Sequence, residues 1–219
     1  MSEDLLKALG IRARAPDRRT DVKVAGSAHA TSPADLDALD RAEAAIGRTL
    51  PLLLRAVYLR VGDGGFGPAY GLLPLFSPEP GDDHDSLVGR YLSLSTRQPR
   101  DPNWSWPPNL VPFCDWGGGI STCTDCSTEQ GAVLTFDPDS YEDGGPMASA
   151  FAQTHPSVEA WFLDWLRRSQ LRRVLHKWLQ RIKSRRAAHA GRGTLNQGGR
   201  QRALEESHDQ HHAELSQVG

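Results

Sequence analysis

Three cysteines are the residues best placed to do chemistry. Cys123-Thr124-Asp125-Cys126 has the C-x-x-C spacing of zinc and dithiol redox sites, and Cys114 lies nearby on the N-terminal side. A structural zinc ion takes four ligands, usually from a second C-x-x-C or a His pair. The chain offers only Cys114 and the scattered His84 and His155. A redox pair would open a helix after a strand, whereas this pair falls inside an expected strand. A cysteine nucleophile would need a base such as His155 beside it, and nothing in the spacing brings one there. The expected role is that of small, half-buried strand residues, with an acquired metal or redox site as the alternative. No G-x-S-x-G, P-loop or H-E-x-x-H motif is present. The run Gly62-Asp63-Gly64-Gly65-Phe66-Gly67 lacks the Lys-Ser/Thr of a phosphate loop and reads as a helix stop. Paired acids at Asp82-Asp83 and Asp137/Asp139 fall in expected loops and read as solvated surface. No catalytic residue, metal or cofactor is expected.

The elements that must position these residues can be read from periodicity and punctuation. Residues 3–9 read as a short amphipathic helix, with Leu5, Leu6 and Leu9 on one face, and 12–31 as a linker. A helix is expected from a Ser32 cap, with Pro33 in its first turn and Asp35 three after the cap; its apolar face carries Leu36, Leu39 and Ile46, and Gly47 stops it. Pro51 opens a second helix to about Arg60, with Leu53, Leu54, Val57 and Tyr58 inward. Tyr70–Phe76 reads as a strand and Ser86–Thr96 as a helix. Strands are expected at 110–115, 119–126 and 131–137, between Gly-rich turns. A helix from Ser157 to about Arg168 turns Val158, Trp161, Phe162 and Trp165 inward.

The whole is expected to be α+β: a single mixed sheet with packed helices over residues 32–168, preceded by a short helix and linker over 1–31. A basic amphipathic helix over 169–187 follows, with Leu171, Val174, Leu175, Trp178, Leu179 and Ile182 in helical register, then a disordered tail over 188–219. A chain of 219 residues fits one such domain with appendages, or at most two small ones. No apolar run approaches the roughly 20 residues needed to span a bilayer. The first residues lack a secretory pattern and the cysteines are odd in number, so a cytoplasmic protein with reduced thiols is expected.

Charge is unevenly spread. Residues 1–166 carry 13 Lys+Arg against 23 Asp+Glu, residues 167–202 carry 12 Lys+Arg and no acid, and residues 203–219 carry four acids. An acidic body favours basic partners and disfavours nucleic acid, so the core is not expected to bind nucleic acid specifically.

Two segments carry a resemblance. The first runs Ala42-Glu43-Ala44-Ala45-Ile46-Gly47-Arg48-Thr49-Leu50-Pro51 and ends, after an apolar stretch, in Val61-Gly62-Asp63-Gly64-Gly65-Phe66-Gly67. The second runs Val111-Pro112-Phe113-Cys114-Asp115-Trp116-Gly117-Gly118-Gly119, then Gly131-Ala132-Val133-Leu134-Thr135-Phe136-Asp137. In that order they resemble the SMI1/KNR4 family of the SUKH superfamily, over roughly residues 32–166. The resemblance implies a binding protein rather than an enzyme. Many bacterial members are immunity proteins that neutralise a cognate toxin, and fungal members act as regulatory scaffolds. The implied partner is a protein toxin, with a basic, nuclease-like one favoured. The alternative is a regulatory scaffold that binds host proteins or a membrane surface through its basic helix.

The binding residues themselves are a reading of chemistry. A loop tryptophan is either tucked over the sheet or offered to a partner. Trp104, Trp106 and Trp116, with the carboxylates Glu79, Asp82, Asp83, Asp85 and Asp115, form the expected partner face. On the basic helix, Arg172, Arg173, Lys177, Trp178, Arg181 and Lys183 are candidates for self-association, a partner or an anionic surface; docking on the chain's own acidic body is the plainest alternative.

Overall fold

Asp35 starts the first helix of the main body. Its carboxylate accepts the Ala38 N–H at 2.7 Å, so the helix (α2) spans Leu36–Ile46. The cap expected at Ser32 lies three residues too early. Residues 32–34 are non-helical and tied elsewhere: Ala34 donates to the Tyr58 carbonyl at 3.0 Å and Asp63 donates to the Ser32 carbonyl at 3.1 Å. Gly47 closes α2 with φ of 66°.

The structure, a computed structural model, describes residues 3–15, 32–77, 83–96, 103–142 and 144–168. The expected basic helix over 169–187 and tail over 188–219 lie outside these residues. Before α2 comes α1 (Glu3–Ala13), longer by four residues than its expected apolar face. Leu5, Leu6 and Leu9 are buried in the common core, so α1 belongs to the main body. After α2 come α3 (Leu52–Arg60), α4 (Leu87–Ser95) and α5, helical from residue 158 to the last described residue, 168. Ser86 caps α4 through the Gly89 N–H at 3.1 Å, and Ser157 caps α5 through Ala160 at 3.1 Å. Leu53, Leu54, Val57 and Tyr58 of α3 and Val158, Trp161, Phe162 and Trp165 of α5 are buried as their spacing predicts. Each large apolar side chain so buried contributes about 1.5–3 kcal/mol.

The five strands are β1 (Gly71–Leu72), β2 (Leu110–Gly117), β3 (Ile120–Asp125), β4 (Val133–Phe136) and β5 (Phe151–His155). They lie in sequence order and every pairing is antiparallel. The fold is α+β as expected, but the sheet is not mixed: each strand returns beside its predecessor, so among the described residues no parallel pair forms. The expected strand Tyr70–Phe76 shrinks to two residues. Leu75 turns its N–H to the Asp63 carboxylate at 2.8 Å, and Pro74 has no N–H to give. Gly64 permits that turn. A side chain there would meet the Leu72 carbonyl at 2.8 Å, and its φ is 76°. Strand β5 has no counterpart among the expected elements.

The register sorts side chains onto two faces. The row Asp115, Ser121, Phe136, Phe151 faces α4 and the 103–109 loop. The next row, Cys114, Thr122, Thr135, Ala152, faces α5.

Candidate functional site

The cysteines do not converge. Cys114 and Cys123 are fully buried and occupy successive rows of the sheet, so they face opposite ways. Cys126 lies just past the end of β3, half-buried. Burial pushes the Cys123 thiol far above its ordinary range. Burial first, then the nearby Asp125 and Glu43 carboxylates, push Cys126 up to about 12. Thiols so shifted are protonated at neutral pH and weak nucleophiles. Among the described residues, no group of three or more His, Cys, Asp or Glu side chains is gathered as a metal site would need.

The expected partner face is divided by the sheet. On the α4 side, Arg90 reaches from its helix toward Asp85 at 3.7 Å and Asp115 at 3.6 Å. Arg90 also donates to the His84 carbonyl at 2.8 Å and to Ser121 Oγ at 3.3 Å. These two carboxylates therefore neutralise a cation of the protein itself. Asp115 additionally accepts the Gly117 N–H at 2.8 Å, which shapes the turn into β3. Asp83 opens a short 3-10 turn through Asp85. Glu79, Asp82 and all six candidates on the basic helix lie outside the described residues.

Of the three loop tryptophans, Trp106 is only 6% exposed and belongs to the core rather than to an accessible face. It donates to the Leu110 carbonyl at 2.8 Å and stacks edge-on to Phe136 and Phe151. Its loop folds back over the sheet because those two rings leave an apolar row to be covered. Trp104 is half-buried, bonded to the Leu94 carbonyl at 2.7 Å and set edge-on to Tyr141. Trp116 points the other way, 42% exposed, its indole N–H on Thr122 Oγ1 at 2.7 Å.

Trp116 leads to a feature that sequence reasoning missed. A groove of about 440 Å³ runs across the sheet beside α5. Its floor is made by Trp116, Thr122, Thr135 and Thr154, one side chain from each of four successive strands. Trp161 and Trp165 of α5 form its wall. At its polar end, Asp164 accepts Arg168 Nε at 2.6 Å and lies 3.7 Å from His155 Nε2. Trp165 is fixed by Arg12 of α1, whose guanidinium sits 4.7 Å from the ring centre, and by Phe66. Its indole N–H is buried and meets no acceptor among the described residues. Aromatic walls with spaced hydroxyls and one charged cluster suit recognition of a mixed apolar and polar surface. The alternating threonines of β3 and β4 were the available signal, but which helix would cover them is a long-range matter.

Charge points to the same half of the molecule. Residues 101–166 contain ten Asp+Glu and no Lys or Arg, whereas residues 1–100 contain thirteen of each sign. The negative surplus of the body therefore belongs to the segment that builds β2 to β5 and most of α5, whose last two described residues are Arg167 and Arg168. Among the described residues, no helix is long and apolar enough to cross a membrane.

The model of the SMI1 / KNR4 family (SUKH-1) matches residues 33–163. No curated protein matches the chain. The matched span covers α2 through most of α5 and includes the Glu43-to-Pro51 hinge, the Gly62–Gly67 turn and the Asp115-Trp116-Gly117 bend. The chain belongs to the SMI1/KNR4 (SUKH-1) family.

Proposed function

We propose that this chain is a protein-binding module without catalytic activity, an immunity protein that holds and neutralises a cognate toxin domain. The observation that carries this reading is the distribution of charge on a family fold associated with immunity proteins. Ten carboxylates and no Lys or Arg fall within residues 101–166. Such a field attracts basic partners and raises the rate of encounter. Nuclease toxins are basic because they grip phosphates, which makes them the favoured partner. Binding then covers the toxin's cleft. The unbridged thiols Cys114, Cys123 and Cys126 support a cytoplasmic setting, where such a toxin would act.

The test is co-purification with the toxin domain encoded beside this gene, and survival of cells that express that toxin. Binding and rescue are expected; absence of both would refute the reading. A second reading, a regulatory scaffold, is favoured by the twelve Lys+Arg and no acid of residues 167–202. That composition suits an anionic surface, self-association or a protein partner. A neighbouring gene for a large secreted toxin supports immunity, and a neighbourhood without one supports the scaffold.

A further inference from the structure

Strand β5 is an edge of the sheet, and among the described residues nothing pairs with its outer side. Asp137 donates its N–H to the Ala150 carbonyl at 2.9 Å, and the pairing continues through Phe136 with Phe151 and Thr135 with Ala152. Antiparallel alternation then turns the peptide groups of Ala152 toward β4 and leaves the N–H and C=O of Phe151 and Gln153 facing outward. Edge strands are normally blunted by Lys, Pro, bulges, inward charges or extreme shortness; β5 has a bulge at Thr154, where Leu134 pairs with Gln153 and Val133 with His155, so its regular edge is Phe151–Gln153. Strand β1, at the opposite edge, is blunted by its length of two residues. Strand β5, with the sequence Phe-Ala-Gln-Thr-His, contains no Lys, Arg, Asp, Glu or Pro. The groove opens at this strand, since Thr154 and His155 line it. The acids Asp139, Glu142 and Glu159 are exposed in the segments just before and just after β5.

We infer that β5 and the adjoining groove receive an extended, basic segment of a partner protein, added as a sixth strand. The inference rests on the protein-binding reading above but does not depend on the partner being a toxin. Outward N–H and C=O groups of Phe151 and Gln153 bind the partner's backbone, and alternate side chains of the added strand fall over the groove. A Lys or Arg there meets the exposed face of Trp116 as a cation–π contact. Among the described residues of the groove the one carboxylate, Asp164, is shared with Arg168 and His155, and the exposed acids Asp139, Glu142 and Glu159 flank β5. The same charge argues against a second copy as the occupant. Two-fold pairing of β5 would bring two identical surfaces together, each flanked by the exposed acids Asp139, Glu142 and Glu159.

The test is ¹⁵N–¹H spectroscopy of the full chain titrated with two short synthetic peptides. One alternates lysine with valine and threonine; the other has glutamate in place of lysine. The lysine peptide is expected to shift the amides of Phe151, Gln153 and Thr154 and the indole N–H of Trp116, and the glutamate peptide to leave them unmoved. Gln153→Pro removes one outward donor and spares the ladder to β4, so it should weaken the lysine peptide by roughly tenfold, the equivalent of one well-made hydrogen bond. Ala152→Lys, on the exposed groove side, is a second variant that keeps the backbone unaltered and should also weaken it. Absence of any shift would overturn the inference. Shifts confined to the Arg90–Asp115 face would overturn this edge while leaving protein binding intact. Concentration-dependent shifts of β5 without peptide, with a dimer's mass, would assign the edge to a second copy instead. A negative toxin-rescue experiment with a positive peptide result would refute the toxin and retain the edge.

Discussion

Glu43 of α2 holds the backbone N–H of Leu50 at 2.7 Å with one carboxylate oxygen, while its other oxygen pairs with the guanidinium of Arg55 on α3. One side chain thereby fixes the hinge between two helices. It supplies the acceptor that Leu50 lacks just before Pro51, and Arg55 shields its charge. Replacing Glu43 by Ala leaves a half-buried N–H and guanidinium without this acceptor. It should cost about 1.5–3 kcal/mol, the usual worth of hydrogen bonds to a charged group. Glu43→Gln retains an acceptor for Leu50 and should cost clearly less. Denaturant unfolding of both variants checks the order.

Asp63 provides a pH signature. Burial raises its carboxyl above the ordinary range, partly opposed by the Leu75 N–H that it accepts. An acid whose folded pKa lies above its unfolded value binds more protons folded than unfolded across that interval. Its contribution to stability is therefore fully present below the unfolded pKa and is lost as pH rises through the folded one. Asp63→Asn keeps an acceptor for Leu75 and should flatten this slope on the acid side of neutrality. Thermal unfolding of wild type and variant across pH 3–7, the interval of ordinary and raised carboxyls, measures it.

The tryptophans should separate by position. Trp106→Ala empties a site among Phe136 and Phe151 and should cost about 3–5 kcal/mol. Trp116→Ala, on a half-exposed ring, should cost no more than about 1 kcal/mol in stability. The comparison by calorimetry or denaturant unfolding tells core from surface.

Thiol labelling checks the cysteine assignment. At neutral pH in the folded protein, Cys114 and Cys123 should resist a thiol reagent, and Cys126 should react slowly and first. All three should react rapidly once the chain is denatured. Rapid native labelling of Cys123 would contradict its burial.

The sequence made the helices and the second to fourth strands readable because their signals are local. Apolar spacing, Gly47, Pro51, Ser86 and Ser157 each act within a turn or two of chain. The cap at Asp35 was displaced by backbone bonds from Ala34 to Tyr58 and from Asp63 to Ser32, which join segments far apart in sequence. Strand β5 was hidden for a different reason. An edge strand with Ala152, Gln153 and Thr154 all exposed has no apolar alternation to read. The tryptophan loop was undecidable locally, since the burial of Trp106 depends on Phe136 and Phe151 from later strands. Asp115 and Trp116, paired in the expected face, are strand neighbours, and the pleat sends such neighbours to opposite sides.

On the function proposed above, the acidic half of the sheet holds a basic protein. Titrating the full chain with the proposed toxin partner, by calorimetry at low and at high salt, tests this most directly. Stoichiometric binding is expected, with an affinity that falls as salt screens the charges. No binding at either salt concentration, or binding indifferent to salt, would contradict it.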